Sequence, residues 1–567
     1  FSYIIYKMYK FNWGIKMINE VKAVSSLEKV FVDSSIDKLL ELKQFSMLKN
    51  EKKSFQIAFK STKNESVAIS VESPIEDFLN VSVVKNIQSD FPAMKNADDY
   101  YIKKEAGLYP DLLYPVDGGC TFETDGAYAF WIEISPVKDD ILPVGEHKIS
   151  ITLKTDNAEC KSEVSVEVID ALLPKQSLIY TNWIHTDCLM TYYNFEAFSD
   201  EYWEALRNYL TKASDYGMNC VLTPVFTPPL DTEIGKERPT VQLVKVFRQG
   251  KNKYAFDLSL LKKWIDISKE CGIEYFEISH LFTQWGAKHA PKIMAEENGK
   301  EVKIFGWKTK ASSNEYKQFL SQFATALKGF LKEKKLEKNV FIHISDEPPF
   351  GCLLSYKKAS KITYDLFGEY KIMDAMSSYP LAKICNIRYP IPATDFINNF
   401  IGKFDDLWTY YCSAQACKNV SNRFFSTASL RNRIIGYQLY KYDIKGFLHW
   451  GYNFYYTQLS KKTVDPYKVT DAGKAFASGD SFVVYPGEDL KPLNSLRLNV
   501  FYDGLQDMRA LQLLEEKIGK DAVVKLMENG TDEPITFSEY PHNAWWLLEN
   551  REMINQEIKK HILSDCR

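Results

Sequence analysis

The apolar pattern of the chain changes at Leu173-Pro174, and this change constrains the fold more than any other feature. Before it, from about residue 54, short segments alternate apolar and polar residues or are rich in β-branched residues. Residues 66–72, 128–134, 147–153 and 163–169 are examples, and turn residues separate them. Short strands at such spacing predict an N-terminal antiparallel β-sandwich.

After Pro174, strand-like segments alternate with amphipathic segments for roughly 300 residues. In residues 200–217, for example, Trp203, Leu206 and Leu210 follow helical spacing and Gly217 ends the pattern. Predicted strands are 178–183, 220–223, 275–280, 340–345, 371–376, 406–411 and 446–450. The alternation predicts a (β/α)8 TIM-like barrel. An open doubly wound sheet is the alternative, but no GxGxxG or Walker loop supports it.

The end of the chain has a third pattern, with predicted helices at 505–518 and 544–562. The sequence therefore predicts four parts, which combine a β and an α/β architecture. They are an N-terminal extension at 1–20, a β-sandwich domain at 21–174, a catalytic barrel at 175–490 and a C-terminal helical segment at 491–567.

Charge and cysteine usage exclude several classes of protein. Lys and Arg number 71 against 74 Asp and Glu, so a net charge of -3 gives no general attraction to nucleic acid or anionic lipid. No apolar stretch of about 20 residues is present, so we expect no stable membrane insertion. The ten cysteines form no CxxC pair. We therefore expect reduced core cysteines and neither a metal site nor a cofactor.

The first 17 residues are apolar but are interrupted by Lys7, Lys10 and Lys16, and they contain no clear cleavage site for a signal peptide. Because the chain begins with Phe, we expect vector-derived residues before a native start at Met17. A cytoplasmic protein is the expectation, and a secreted protein is the alternative.

The strongest candidate for chemistry is the Asp346-Glu347 pair, which follows an apolar strand and is followed by Pro348-Pro349. In a barrel enzyme the catalytic groups come from the C-terminal ends of the strands. The alternation of side chains can break at a strand end, so both carboxylates can reach one site. The structural alternative is that Asp346 caps the helix near Ser355 or that Glu347 pairs with an arginine.

Aromatic and polar side chains recur at other predicted strand ends. They predict a pocket with aromatic walls and hydrogen-bonding groups, which suits a sugar. Each of these residues alone is more often part of a core than a ligand contact. The candidates are Trp183, His185, His280, Trp285, Tyr410, Tyr411, Trp450, Tyr452 and Asn453.

Four segments resemble glycoside hydrolase family 123. They are Asp346-Glu347-Pro348 and residues 446–453, 479–487 and 495–509. The resemblance covers most of the chain and implies a sandwich, a barrel and a helical C-terminal part. Characterised members of the family are β-N-acetylgalactosaminidases that act on non-reducing terminal GalNAc, including that of glycosphingolipid glycans. The implied partner is therefore a glycan with terminal β-GalNAc.

The resemblance also implies substrate-assisted catalysis through an oxazolinium intermediate. Glu347 would be the general acid/base, and Asp346 would orient and stabilise the acetamido group. Tyr410 or Tyr411 would bind the acetamide carbonyl. Of the other candidates, Trp450 or Trp285 would stack on the sugar, and Asn453 or His280 would bind its hydroxyls. The alternatives are a β-N-acetylglucosaminidase or hexosaminidase, and a non-catalytic glycan-binding protein.

Overall fold

The computed structural model describes residues 20–136 and 141–565, which form two compact units. The first unit contains the described residues up to Val84 together with Tyr114–Ile169. The second contains Lys85–Leu113 and the described residues from Asp170 onward. Of the predicted N-terminal extension at 1–20, only Glu20 lies within the described residues. The predicted domain boundaries at 20, 174 and 490 stay predictions.

The first ten strands within the described residues confirm a strand-rich N-terminal region. They are β1 (Val21–Ser25), β2 (Gln44–Leu48), β3 (Lys53–Ser61), β4 (Glu65–Glu72), β5 (Leu79–Ser89), β6 (Gly107–Pro115), β7 (Gly119–Phe122), β8 (Gly126–Ile134), β9 (Gly145–Lys154) and β10 (Glu159–Ile169). In the first unit one sheet contains β1-β3-β8-β5, and a second has the order β2-β10-β9-β4-β7. The pairs are antiparallel except for β2 with β10.

The period-two pattern of β9 shows why this unit forms two layers. Ile149, Ile151 and Leu153 are all buried, and the residues between them are more accessible to solvent. The two sheets contact each other through Phe59 of β3 and Phe122 of β7, whose rings are 5.3 Å apart and nearly perpendicular. Apolar and polar residues alternate along these strands because each sheet buries one face and exposes the other.

The second unit contains fourteen further strands within the described residues. They are β11 (Ile179–Asn182), β12 (Cys220–Thr223), β13 (Lys245–Gly250), β14 (Lys253–Asp257), β15 (Tyr275–Ile278), β16 (Ile293–Glu297), β17 (Lys300–Phe305), β18 (Val340–His343), β19 (Lys371–Ala375), β20 (Tyr389–Ile391), β21 (Trp408–Tyr410), β22 (Gly446–His449), β23 (Tyr485–Pro486) and β24 (Pro492–Ser495).

Its α-helices follow most of the strands. They are α1 (Thr186–Tyr193), α2 (Asp200–Asp215), α3 (Ser259–Glu270), α4 (Asn314–Glu333), α5 (Leu353–Phe367), α6 (Tyr379–Ile384), α7 (Ser429–Arg433), α8 (Ile435–Lys441), α9 (Leu496–Ile518), α10 (Lys520–Met527) and α11 (Ala544–Asp565). None of the helices in the described ranges combines the length and apolar character that crossing a bilayer requires.

Eight of these strands form a nearly closed parallel barrel, which confirms the predicted TIM-like fold. Around the barrel they follow the order of the sequence: β11, β12, β15, β18, β19, β20, β21 and β22. All their ladders are parallel, and β22 pairs with β11. Between β20 and β21 the contact is a single parallel bridge, from Ala393 to Tyr410.

Three features of the second unit differ from the prediction. The sixth barrel strand, β20, has only three residues, and Pro390 within it lacks a backbone N–H donor. So short a segment with a proline does not show the β-branched run that predicts a strand. A four-stranded sheet of order β14-β13-β16-β17 comes from the segments that follow barrel strands β12 and β15. In addition, α9 begins at Leu496 rather than at residue 505. The sequence did not reveal this start, because Leu496–Asn499 are all buried and therefore show no amphipathic pattern.

Candidate active site

The Asp346-Glu347 pair lies just beyond β18 and lines a cavity of about 350 Å³. The backbone before the pair is fixed by Asp374 of the neighbouring strand β19. Its carboxylate accepts the Ser345 N–H at 3.2 and 3.3 Å and the Tyr356 hydroxyl at 2.7 Å. The adjacent barrel strand therefore positions the acid pair.

Backbone conformation explains how two consecutive carboxylates reach one cavity. Glu347 has a φ of +40°, which is uncommon for a residue with a side chain, and Pro348 follows it. Two other residues that line the cavity, Asp231 at +38° and Trp285 at +57°, also have a positive φ. Such conformations cost about 1–3 kcal/mol each and concentrate at functional sites.

The environment of the pair favours the protonated acids. Asp346 is half-buried, and Glu347 is exposed to solvent at the cavity, although many protein atoms surround its carboxyl group. Burial raises the pKa of Asp346 well above its ordinary value, and the nearby charges of Glu347 and Asp231 raise it further. Burial also raises the pKa of Glu347. Of the described residues that line the cavity, none is Lys or Arg, so no cation there offsets this effect.

Tyr410, at the end of β21, contacts the acid pair directly. Its hydroxyl donates to Glu347 Oε1 at 2.5 Å, and this hydrogen bond partly lowers the pKa of Glu347. Tyr411 points the other way, because successive residues of a strand alternate. Its hydroxyl lies 3.4 Å from Asn432 Oδ1, and its ring packs against Phe447. Of the two tyrosines, only Tyr410 lines the cavity.

Three predicted tryptophans and one histidine also line the cavity. Trp183 is buried and donates its indole N–H to Glu277 at 3.2 Å, inside the barrel. His185 Nε2 is 2.8 Å from the Trp450 carbonyl, and burial lowers the pKa of His185 to about 3, so the ring is neutral. Trp285 is 41% exposed and forms part of the rim. These four residues bring aromatic side chains to the cavity, and their part in sugar binding stays a prediction.

Three further predicted residues lie outside the cavity lining, as Tyr411 does, because they belong to the packing behind it. The Tyr452 hydroxyl is 3.5 Å from the Tyr209 carbonyl. Asn453 accepts the His185 N–H at 2.9 Å and donates to the His185 carbonyl at 3.1 Å, which fixes that loop. His280 is buried and stacks on the ring of His343, with the ring centroids 4.5 Å apart.

The lining also includes residues that the strand-end rule did not identify. Asp231, Gln284, Asp480 and Met94 line the cavity from loops. Burial raises the pKa of Asp231 to about 6 and that of Asp480 to about 7. The only sequence signal was for Asp480, which lies within the segment 479–487.

One group of potential metal ligands comes together in the described part of the chain, at His280, His343 and Asp374, with ligand atoms within 4.8 Å of one another. The two imidazole planes differ by only 25° and face each other. Lone pairs in the planes of stacked rings do not converge on one point, and His343 Nε2 already contacts Glu277 at 2.6 Å. The three residues are buried in the barrel core, where His280 Nδ1, His280 Nε2 and His343 Nδ1 have no hydrogen-bond partner.

Comparison with protein families matches residues 183–514 to the model described as "Glycoside hydrolase 123, catalytic domain". This range contains every candidate residue above except Met94. No protein with a curated description matches the chain.

Among solved structures, the chain is similar to a family 123 glycoside hydrolase from Clostridium perfringens that is described in connection with glycolipid glycan hydrolysis. The identity is 16%, the TM-score is 0.72, and the match covers 96% of this chain and 98% of that chain. β-Glucuronidases from Parabacteroides merdae and Bacteroides uniformis match at 11% and 9% identity. Each has a TM-score of 0.29 and covers 87% of this chain and 52% of the other, so neither supports an argument.

Proposed function

The chain belongs to glycoside hydrolase family 123, and on this premise we propose that it is a retaining, exo-acting β-N-acetylgalactosaminidase. The expected reaction releases non-reducing terminal β-GalNAc from glycans such as those of glycosphingolipids. One observation carries the proposal: Asp346 and Glu347, adjacent in sequence, line the same cavity with no cation beside them. Adjacent carboxyls suit a mechanism in which the substrate supplies its own nucleophile, because ordinary retaining enzymes place two carboxyls about 5–5.5 Å apart across the scissile bond.

In the first step Glu347 donates its proton to the glycosidic oxygen as the bond from that oxygen to C1 breaks. The acetamido oxygen of the substrate attacks C1 from the opposite face and forms an oxazolinium ion. Asp346 accepts a hydrogen bond from the acetamide N–H and stabilises the positive charge that develops. The aglycone leaves as an alcohol.

In the second step the Glu347 carboxylate removes a proton from water as the water oxygen bonds to C1. The bond from C1 to the acetamido oxygen breaks, so the β configuration is retained. A group that acts first as an acid and then as a base needs a pKa near the operating pH. The raised pKa of Glu347 supports this role.

The mechanism requires one proton on the pair, and this proton must be on Glu347. Burial raises the pKa of Asp346 as well. A hydrogen bond from the acetamide N–H stabilises the charged form of Asp346 and so lowers its pKa in the complex. Substrate binding therefore favours the proton on Glu347, and the Tyr410 hydroxyl at Oε1 opposes this only in part, since burial still raises the pKa of Glu347.

The size of the cavity and the solved relative support the substrate class. A cavity of about 350 Å³ is at the small end of ligand pockets, which fits one terminal sugar and an exo-acting enzyme. The structurally similar Clostridium perfringens protein is described as acting on glycolipid glycans. Trp450, which lines the cavity, offers an aromatic face to the sugar.

The proposal is tested by the hydrolysis of three aryl glycosides: β-GalNAc, β-GlcNAc and β-galactoside. We expect cleavage of β-GalNAc alone, with the β anomer as the first product by NMR. The control is Glu516→Gln, an exposed acid on α9, which should retain the wild-type rate.

Other outcomes discriminate among the alternatives. Equal cleavage of β-GlcNAc identifies a hexosaminidase. Equal cleavage of the plain galactoside contradicts the acetamido nucleophile, and an α anomer as first product contradicts retention. Binding of GalNAc without cleavage of any substrate would indicate a glycan-binding protein.

A further inference from the structure

Trp285 is an aromatic side chain at the rim of the cavity. Of the described residues that line the cavity, four are exposed to solvent: Trp285, Glu347, Ala414 and Gln458. Exposed side chains in a cavity wall mark its opening, and Trp285 is the aromatic one among these four. Within the described part of the chain, no other aromatic ring and no cation packs on its ring, and its indole N–H has no acceptor. The ring therefore has surface free for a ligand.

The backbone holds this ring next to the acid pair. The Trp285 N–H donates to the Asp346 carbonyl at 2.8 Å. Trp285 has a φ of +57°, in the left-handed region that a bulky residue rarely adopts. The next residue, Gly286, packs on Cys352, since a Cβ there would lie 2.6 Å from the Cys352 Cβ and Sγ. Its carbonyl accepts the Ser355 hydroxyl at 2.7 Å. A strained conformation fixed on both sides beside a candidate active site indicates a role for the side chain that it positions.

The two exposed or half-buried tryptophans of the cavity have different surroundings. Trp450 belongs to the wall: the rings of Phe454 and Phe476 lie 5.0 and 5.2 Å from its ring, between centroids. Its indole N–H is bonded to Asp480 at 3.1 Å. A cavity of about 350 Å³ fits one terminal sugar, so the rest of the glycan must leave the cavity through the rim, where Trp285 lies.

The proposed reaction places the leaving group at this rim. Glu347 protonates the oxygen that leaves, and Glu347 is itself exposed to solvent there. Trp285 is adjacent, because its N–H is bonded to the carbonyl of the residue before Glu347. An aromatic face buries the C–H groups of a pyranose, and this contact does not depend on the pattern of its hydroxyls. Trp285 is thus placed to contact the sugar that follows the terminal one.

We propose that Trp285 is a specificity-determining residue whose ring is the platform for the second sugar of the glycan, the pyranose that leaves in the first step. The enzyme then selects a terminal residue that is linked to another sugar over one that is linked to a small alkyl group. This inference rests on the proposed function and extends it to the aglycone. Contacts with a part of the substrate that does not react can raise kcat/KM, so a truncated substrate should react more slowly.

The test is a cycle that removes the second sugar from the substrate and the ring from the enzyme. The substrates are methyl β-GalNAc and a disaccharide of β-GalNAc linked to methyl β-galactoside, and the enzymes are wild type and Trp285→Ala. Comparing the two enzymes on each substrate cancels the intrinsic difference between the leaving groups. Phe396→Ala is the matched control, because Phe396 is also 41% exposed and follows barrel strand β20 but does not line the cavity.

We expect Trp285→Ala to lose about threefold to tenfold in kcat/KM on the disaccharide, the size of one aromatic contact. On methyl β-GalNAc it should keep the wild-type rate, and Phe396→Ala should keep both rates. Equal losses on the two substrates overturn the proposal, because the ring would then act on the terminal sugar or on the acid pair. An unchanged rate on the disaccharide also overturns it.

A second variant, Trp285→Gly, separates a role in binding from a role in folding. Glycine adopts a positive φ without strain, so this variant should unfold at a urea concentration no lower than wild type while it loses the same activity on the disaccharide. It replaces Trp285→Ala in the cycle if that variant fails to fold. A loss of stability together with equal losses on both substrates overturns the proposal.

Failure of the proposed function has a different signature. If wild-type protein cleaves neither substrate, calorimetry with methyl β-GalNAc and the disaccharide provides the same cycle in Kd. Tighter binding of the disaccharide by wild-type protein, but not by Trp285→Ala, supports the role of Trp285. Equal affinities of wild-type protein for the two ligands, or no binding of either, overturn it.

Discussion

The second unit places carboxylates among closely packed protein atoms in two regions, and the regions differ in what those carboxylates contact. At the cavity the contact is neutral: the Tyr410 hydroxyl donates to Glu347. Where α7, α9 and α11 meet, the contacts are cationic. Asp507 accepts from Arg433 at 2.7 and 2.8 Å and from Arg551 at 3.0 Å, and all three side chains are buried.

The difference indicates which buried acids are available for chemistry. A bidentate guanidinium stabilises the charged form of a carboxylate, so the charge stays fixed and holds the helices together. Without a cation, burial raises the pKa and the acid can exchange a proton near neutral pH. Asp111, paired with Arg497 at 2.7 and 3.0 Å, belongs to the first kind, and Glu347 belongs to the second.

The largest expected effect is that of Glu347→Gln on activity. With a poor leaving group we expect kcat/KM to fall by about 10⁴-fold, the upper range for general acid–base catalysis. An aryl leaving group should reduce the loss, because its departure needs less protonation. Steady-state kinetics on an alkyl and an aryl β-GalNAc measure both. Equal losses on the two substrates would mean that Glu347 is not the proton donor.

The same variant should not lose stability. Because the pKa of Glu347 is raised in the folded state, its ionised form opposes folding at neutral pH. The stability of the wild type relative to Glu347→Gln therefore falls as pH rises from the unfolded pKa of about 4.3 through the folded pKa. We expect urea unfolding to show Glu347→Gln at least as stable as wild type at pH 7, with the difference shrinking by pH 4. A less stable variant at pH 7 would contradict this.

Asp507→Asn should have the opposite effects, a loss of stability with little change in kcat. It removes the carboxylate that two buried guanidinium groups share and leaves Arg433 only Asp503 at 3.7 Å, which costs about 3–5 kcal/mol of unfolding free energy. Urea denaturation measures the loss. The protein that remains folded should have a kcat close to that of wild type, since Asp507 is absent from the cavity lining. A variant with full stability but no activity would invalidate the distinction between the two regions.

Asp346→Asn should reduce kcat/KM on every 2-acetamido substrate by about 10²- to 10³-fold, as removal of one stabilising group typically does. The loss should not depend on the leaving group, because Asp346 acts on the acetamide rather than on the aglycone. Comparison of the alkyl and aryl substrates used for Glu347→Gln provides the measurement. A loss of kcat/KM confined to substrates with poor leaving groups would mean that the roles assigned to Asp346 and Glu347 must be reversed.

The smallest effect should come from Tyr410→Phe. The hydroxyl lowers the pKa of Glu347, so its removal raises that pKa and moves the alkaline limb of the kcat/KM profile to higher pH. Loss of a hydrogen bond to a charged group should also cost about tenfold in rate. Tyr411→Phe, one residue along the same strand but outside the cavity lining, is the control and should leave the limb in place. A limb that does not move in Tyr410→Phe would contradict the contact with Glu347.

The sequence predicted the regular parts of the molecule well. Period-two segments and alternating strands and helices gave the strand-rich region and the barrel, because burial of one face imposes a period on the sequence. The acid pair was identifiable because Asp346-Glu347 stands between an apolar strand and two prolines. The strand β20 was missed because a three-residue strand that contains Pro390 shows no periodicity.

The cavity lining was less predictable, because it depends on loops and on the direction of each side chain. Tyr410 and Tyr411 are equivalent in the sequence, and only the strand register separates them. Asn453 is at a strand end but uses its amide to fix the His185 backbone. Asp231 reaches the cavity from a loop with no periodic pattern, and Met94 comes from a segment far from the barrel in sequence.

The origin of Met94 has a consequence for the gene. The segment Lys85–Leu113 belongs to the second unit and supplies Asp98, which pairs with Arg431 at 2.8 Å, as well as the Asp111 partner of Arg497. A gene fragment that begins at residue 170 encodes all eight barrel strands but leaves both arginines buried without their carboxylates. The second unit is therefore built from two segments that are not adjacent in the sequence. A gene fragment meant to encode the second unit must include both segments, because the part of the first unit between them prevents its isolation by a single truncation.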